Sequence, residues 1–174
     1  MKKKQNRLDP QIKKFMNIKL VKFKKNFITK TMIGWLNDKS LMKYSEQRFF
    51  KHSKVSCIKF YLDNLRNKNL YYAIFDKNRH VGNIRAVIDK FNSVADIGIL
   101  IAYQNKGYGN IAWKKMMNIL KKRGVRKITG GTMIANKAMI RIFKNNRMKF
   151  EYKKIKHFKL QKKFVDLLGY YYFS

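Results

Sequence analysis

The stretch from Ala102 to Met117, AYQNKGYGNIAWKKMM, decides how the rest of the chain is read. It sets two glycines one residue apart, then apolar residues at helical spacing. Ala112, Met116 and Leu120 fall on one face, with Trp113 and Met117 beside them, so the spacing predicts a helix over Tyr108 to Lys122. Gly124 terminates it, and Lys121, Lys122 and Arg123 suit the negative end of its dipole. A glycine loop that opens a helix is an anion site on physical grounds. The first helical amides have no intrahelical acceptor, and the dipole is positive there. Glycine removes the Cβ that would hold a phosphate away. Lys106 adds a charge beside the loop. Pyrophosphate is the natural guest.

Two phosphate-loop spacings overlap here. Gly107-x-Gly109-x-x-Ala112 fits the dinucleotide fingerprint. That fingerprint belongs in the first βαβ unit of a parallel sheet and needs an acidic residue about 20 residues on, to hold a ribose. This loop comes after position 100, and after Asp96 the next acidic residue is Glu151. The dinucleotide reading fails on both counts. A purely structural glycine turn and the second spacing, Gln104-x-x-Gly107-x-Gly109, remain.

Outward from the loop, the pattern alternates between strand and helix. Asn17 to Phe23 reads as a first strand, with Ile18, Leu20 and Phe23 toward the core. Two short helices flank WLND, Trp35 to Asp38. A helix capped by Ser53 follows, with Ile58, Tyr61, Leu62 and Leu65 on its buried face and Cys57 as a small core residue beside it. LYYAIFD and HVGNIRAVID form a hairpin, and VADIGILIA is a strand whose apolar run suggests cover on both faces. After the glycine helix come the strand VRKITGGTM, a helix with Met139, Ile140 and Phe143 inward, and two closing strands. The order β-αα-α-βββ-α-β-α-ββ makes an α/β (α+β) fold, a mixed sheet with helices on both faces.

A chain of 174 residues with 45% apolar content reads as one domain, 1–174, with residues 1–14 a flexible basic segment. The net charge of +33 attracts polyanions and acidic small molecules. The basic residues are scattered and mostly Lys, and no sheet motif with exposed aromatics is legible, so no specific nucleic acid is expected. One cysteine excludes an internal disulfide and a multi-cysteine metal site; no metal is expected. No apolar h-region follows the basic N-terminus and no segment has transmembrane length, so the expected location is the cytoplasm.

From ADIGILIA through QNKGYGN to IANKAMIRIFKNNRMKFE, the chain resembles the GNAT superfamily of acyl-CoA N-acyltransferases. The resemblance covers nearly the whole length. WLNDKSLMKYSEQRFFKHS is similar to the N-terminal part of members that acetylate amino-sugar nucleotides for surface glycans and, more loosely, to ribosomal-protein N-terminal acetyltransferases. The resemblance implies a mainly antiparallel GNAT-like sheet and acetyl-CoA as co-substrate. Backbone groups of Ile99, Leu100 and Ile101 would bind the pantetheine arm, and Gln104 with the loop Lys106, Gly107, Tyr108, Gly109 and Asn110 would hold the pyrophosphate. Asn136 matches the family's Asn at the CoA arm, and Phe143, in the helix that Asn136 opens, is expected to contact the cofactor as well. Lys114 and Lys115 are candidates for the 3′-phosphate, or simply a solvated helix face. The chain departs from the family at Phe143, where many members carry a Tyr that protonates the leaving thiolate, and at Arg147-Met148, where Gly-Phe is usual.

Amine acylation needs a neutral amine, positioned, and a base for its proton. With nine acidic residues and three histidines the candidates are few: Asp96 first, then Glu46, His52 and His80, with Tyr170 on the last strand as an acid or acceptor contact. Trp35, Asn37, Asp38 and Arg48 are the candidate acceptor residues, Arg48 as a bidentate phosphate clamp. The expected reaction is acetyl transfer to the primary amine of a small acceptor, a nucleotide-linked amino sugar. Alternatives are a protein N-terminus or Lys, and a non-catalytic basic nucleic-acid-binding protein on the same scaffold. A homodimer is compatible with all of these readings.

Overall fold

The computed structural model describes residues 17–174; the segment read as a basic tail, 1–14, lies outside them. Among the described residues, seven strands make one sheet in the order β1-β2-β3-β4-β5-β7-β6. They are β1 (Ile18–Lys22), β2 (Leu70–Asp76), β3 (Arg79–Asp89), β4 (Val94–Ile101), β5 (Lys127–Met133), β6 (Lys149–Leu160) and β7 (Lys163–Phe173). All neighbours are antiparallel except β4 and β5. Four α-helices of the described residues pack on it: α1 (Lys30–Asn37), α2 (Lys54–Arg66), α3 (Tyr108–Lys122) and α4 (Lys137–Asn145). Short 3₁₀ turns occupy Lys25–Phe27 and Glu46–Phe49.

The helices start where local capping chemistry permits. The Thr29 side chain accepts from Met32 N at the head of α1. Ser53 and Ser56 form a reciprocal capping box at the head of α2. The Asn136 side chain accepts from Met139 N at the head of α4. α3 differs: its N-cap is Gly107 in the left-handed region (φ 78°), and no side chain caps it.

Each sheet face carries its own core. α3 and α4 cover one, around fully buried Trp113, Met116, Leu120, Ile128 and Phe143. α1 and α2 cover the other over β2–β4, around Phe23, Met32, Trp35, Cys57 and Ala73.

Three expectations are corrected. The second short helix after Asp38 is a run of turns leading to the 3₁₀ turn; its apolar residues lack helical periodicity. On α2 the sheet-facing side runs through Cys57, Tyr61 and Asn64, while Leu62 and Leu65 are exposed. Tyr61 packs beside Phe23, which stacks on Tyr71 at 4.1 Å, and this contact sets the helix's rotation. β4 is not covered on both faces throughout: Ala95 and Ile97 are buried against α3, whereas Asp96 and Gly98 are exposed on the opposite face.

Candidate active site

β4 and β5 pair over only three positions, Val94–Lys127, Ala95–Ile128 and Asp96–Thr129. β4 then continues to Ile101 and β5 to Met133 without pairing, so the strands part. A cleft of about 960 Å³ opens there, between the end of β4, the glycine loop, the head of α4 and the α1–α2 side.

The glycine loop forms one wall. Ile99, Leu100, Ile101, Gln104, Lys106, Gly107, Tyr108, Gly109, Asn110 and Asn136, read as the donor site, all line the cleft. Gly107 holds the positive φ that L side chains rarely adopt. A Cβ on Gly109 would lie 2.8 Å from Ile142 Cδ1, so glycine is needed there for α3 to approach α4. With no side-chain cap, the leading amides of α3 are free for an anion. Tyr108 is anchored by donating its hydroxyl proton to Asp76 Oδ2 at 2.7 Å, and this bond raises the phenol's pKa. Asn110 accepts from Asn146 Nδ2 at 2.9 Å. Asn136 is committed at both ends, since its Nδ2 donates to Thr132 Oγ1 while its Oδ1 caps α4. Uncapped amides, glycine where a Cβ would clash and a parted strand pair fit the pyrophosphate and extended arm of CoA. Loop amides would hold the former, and the free edge of Ile99, Leu100 and Ile101 the latter. Lys114 is exposed on α3, and neither it nor Lys115 lines the cleft.

Other candidates lie elsewhere. Phe143 is fully buried, edge-on to Trp113 at 5.3 Å and beside Tyr170 at 4.8 Å. Its ring serves the core, which corrects its placement at the cofactor. Tyr170 is buried in the same cluster and does not line the cleft, so it makes no acid or acceptor contact there. Trp35 is buried against His80 and Tyr103. Asp38 is spent on a turn, accepting from Ser40 and Leu41, and the Ser40 hydroxyl holds its pKa down. Arg48 donates to the carbonyls of Ser45 and Lys159, tying the 3₁₀ turn to the tip of the β6–β7 hairpin. Glu46 is exposed outside the cleft.

Two candidates act together. Asn37 donates to the His52 carbonyl at 2.9 Å and accepts from its N–H at 2.8 Å. This pair fixes His52, which lines the cleft half-buried. His52 Nε2 sits 3.1 Å from the Gln47 carbonyl. A carbonyl can only accept, so Nε2 carries a hydrogen, and in the neutral tautomer that this bond selects the lone pair is on Nδ1.

Asp96 lies on the same sheet face but not among the residues lining the cleft. It accepts from Thr129 Oγ1 at 2.9 Å; part of the residue is open to solvent, but the protein packed around the carboxylate desolvates it enough to push its pKa up despite that bond. The folded state therefore holds this proton more tightly than the unfolded chain. Stability falls as pH rises from the ordinary value of 3.8 through the raised one. Asp96→Asn is expected to raise the melting temperature at about pH 7 and to lose that advantage toward about pH 4. Melts at the two pH values check it; a destabilised variant at neutral pH would contradict it.

The remaining base candidate, His80, does not line the cleft, but it leads to two residues that the sequence reading missed, Asn83 and Arg85. His80 is packed among Phe75 (stacked, 5.2 Å), Trp35 and Phe27, and burial lowers its pKa. Its Nε2 lies 3.0 Å from the Gly82 carbonyl and 2.9 Å from Asn83 Oδ1. The carbonyl fixes the hydrogen on Nε2, and that hydrogen fixes which Asn83 atom faces it. Asn83, otherwise buried, lines the cleft beside Leu100 and keeps its amide Nδ2 free of side-chain bonds to His80. Arg85 also lines the cleft, over the Phe60 ring at 5.3 Å. None of the ion pairs among the described residues engages it.

Comparison with known proteins agrees with this geometry. No curated protein matches the chain in sequence. Similar folds include a ribosomal L7/L12 alpha-N-protein acetyltransferase in complex with coenzyme A, at 18% identity and TM-score 0.80, over 90% of this chain and 94% of that one. A microcin C7 self-immunity acetyltransferase in complex with acetyl-CoA and AMP matches at 20% identity and TM-score 0.79, over 91% and 93%. The spermidine N-acetyltransferase of Vibrio cholerae, in complex with CoA and spermine, matches at 15% identity and TM-score 0.81, over 91% and 96%. The pattern of the Acetyltransferase (GNAT) family matches residues 34–147. The chain belongs to the GNAT family of acetyltransferases.

Proposed function

We propose that the enzyme acetylates the primary amine of an acceptor that carries negative charge, and that a nucleotide-linked amino sugar is the class that fits best. One observation carries this reading: no Asp or Glu is among the described residues lining the cleft, while Lys51, Arg85, Lys106 and Arg141 are. A polyamine or a protein N-terminus arrives as a cation and would find only like charges there. A diphosphate would be drawn in. The AMP in the microcin acetyltransferase complex lends support, since a relative of the same fold accommodates a nucleotide. No helix among the described residues is long and apolar enough to cross a membrane, which suits an enzyme working in the cytoplasm.

Each cleft residue takes a role in this reading. Acetyl-CoA supplies the acetyl thioester. His52 Nδ1 takes the ammonium proton, so that the amine lone pair can form the new C–N bond. As the C–S bond breaks, water carries the amine's second proton to the departing thiolate; Phe143, buried in the core and without a hydroxyl, cannot supply one. Burial raises the pKa of both Tyr71 and Cys57 at the cleft wall, which keeps them protonated and leaves His52 as the base. Arg85 and Lys51 meet the acceptor's phosphates, and the Asn83 amide donates to an acceptor oxygen.

A thiol-release assay with UDP-glucosamine, a Ser-led peptide and spermidine separates the acceptors. UDP-glucosamine is expected to give the highest kcat/KM; a preference for spermidine would overturn the reading. Arg85→Gln should raise the UDP-glucosamine KM by about 10- to 100-fold, the loss of one charge-assisted contact, and leave the acetyl-CoA melting shift unchanged.

A further inference from the structure

The face of the sheet that α1 and α2 cover over β2–β4 is differently furnished over β5, β7 and β6. No residue of these three strands belongs to the apolar cluster under α1 and α2. Aromatic rings stand there instead, Tyr152, Tyr171 and Phe173 among them. Phe173 pairs with Lys127 and Tyr171 with Thr129 across β5 and β7, and the two rings lie 5.2 Å apart. Tyr152 lies against Gly169, where an added Cβ would fall 2.4 Å from its ring. Tyr152 is 42% exposed and Phe173 53%.

Cations surround the rings. Lys127 Nζ lies 5.5 Å from the centre of Tyr171 and 6.0 Å from that of Phe173. Lys154 Nζ lies 5.8 Å from Tyr152, and the Arg126 guanidinium 5.6 Å from Phe173. Lys149 pairs with Tyr171 in register. Of the neighbouring carboxylates, Glu151 is taken by Lys127 and Asp96 by Thr129.

We propose that this face of β5, β7 and β6 is a docking surface for single-stranded nucleic acid, held by stacking on Tyr152, Tyr171 and Phe173 and by phosphate contacts to the flanking cations. Every base has a π-face, so such a platform is sequence-tolerant. Duplex buries its bases and offers only phosphates. A second copy of this chain would set like charges opposite one another, on a molecule of net charge +33. Complementarity of charge therefore selects a polyanion, and the exposed rings select one with unpaired bases.

The test is fluorescence anisotropy of a labelled oligo(U) and its DNA counterpart, titrated at several salt concentrations. Generic attraction to a basic protein would be lost equally for any removed lysines. Stacking would not. The pair Tyr152→Ala with Phe173→Ala is expected to weaken oligo(U) binding about 10-fold or more at every salt concentration, with the salt slope unchanged. Tyr152→Trp alone should retain binding. Lys54→Ala with Lys59→Ala, on the exposed side of α2, should cost less than the aromatic pair. Acetyl-CoA melting shifts confirm that each variant is folded.

Wild-type affinity for the aromatic pair would overturn the proposal, as would duplex RNA bound as tightly as single strand. Sedimentation showing a dimer that the aromatic pair dissociates would assign the face to a second copy instead.

Discussion

Replacing Gly107 by Val is expected to remove the stabilisation that acetyl-CoA confers, while lowering the unliganded melting temperature by about 2–12 °C. At a ligand concentration of about 100 times Kd, donor binding raises stability by roughly 2.7 kcal/mol in the wild type. Gly107 has φ 78° and open space around the position of a Cβ. The damage is therefore conformational rather than steric. A β-branched residue leaves the left-handed region, and the amides at the head of α3 leave the arrangement that receives the pyrophosphate. Strain at one non-glycine residue in this region costs about 1–3 kcal/mol, enough to reshape an exposed loop but not to unfold the sheet. Melting curves with and without acetyl-CoA measure both quantities. A preserved shift would show that the anion is held elsewhere.

Trp113→Ala should be the most destabilising single change, by about 3–5 kcal/mol. Its side chain is fully buried between α3, α4 and β5. It donates Nε1–H to Met148 Sδ at 3.2 Å and meets Phe143 edge-on. The backbone of β5 is fitted to the ring: a Cβ on Gly130 would lie 3.0 Å from Trp113 Cη2 and 2.9 Å from Phe143 Cε1. Truncation leaves a void bounded by a sheet and two helices, none of which can collapse freely. For a domain of this size the loss corresponds to about 6–20 °C in melting temperature, measurable by calorimetry. Gly130→Ala tests the same fit from the other side, by overpacking.

How much of this was visible in the chain alone depends on whether a local rule governed it. α3 could be read to its ends, Tyr108 to Lys122, because five buried apolar residues keep helical period and a glycine stands at each terminus. The donor loop followed from the same stretch. The acceptor side did not, because polar residues there were judged by type and not by direction. Asn37, Asp38 and Arg48 looked free to bind, but turn and carbonyl contacts consume them. Asn83 and Arg85 sat unnoticed in HVGNIRAVID, since alternation tells that a strand has two faces but not which one fronts a cleft.

The aromatic surface was hidden for another reason. Glu151 is an extra residue in β6, between the Phe150–Tyr170 and Tyr152–Gly169 pairs. The bulge turns Tyr152 to the face opposite Phe150, although both positions are even, so a strict period-two reading merges what the fold separates.

The parting of β4 from β5 has a mechanical consequence. Only three residue pairs join the leaf β1–β4 to the leaf β5–β7–β6 along the sheet itself. Beyond them the two leaves are held by α3 and α4 bridging from one side, much as a spine holds the covers of a book, with the Arg48–Lys159 contact as a clasp on the other. An extended ligand lying in the gap would supply the hydrogen-bonding groups that the missing pairs do not, and so act as a removable eighth strand. The donor's own backbone-like amides would then set the stiffness of the surface on which the acceptor lands.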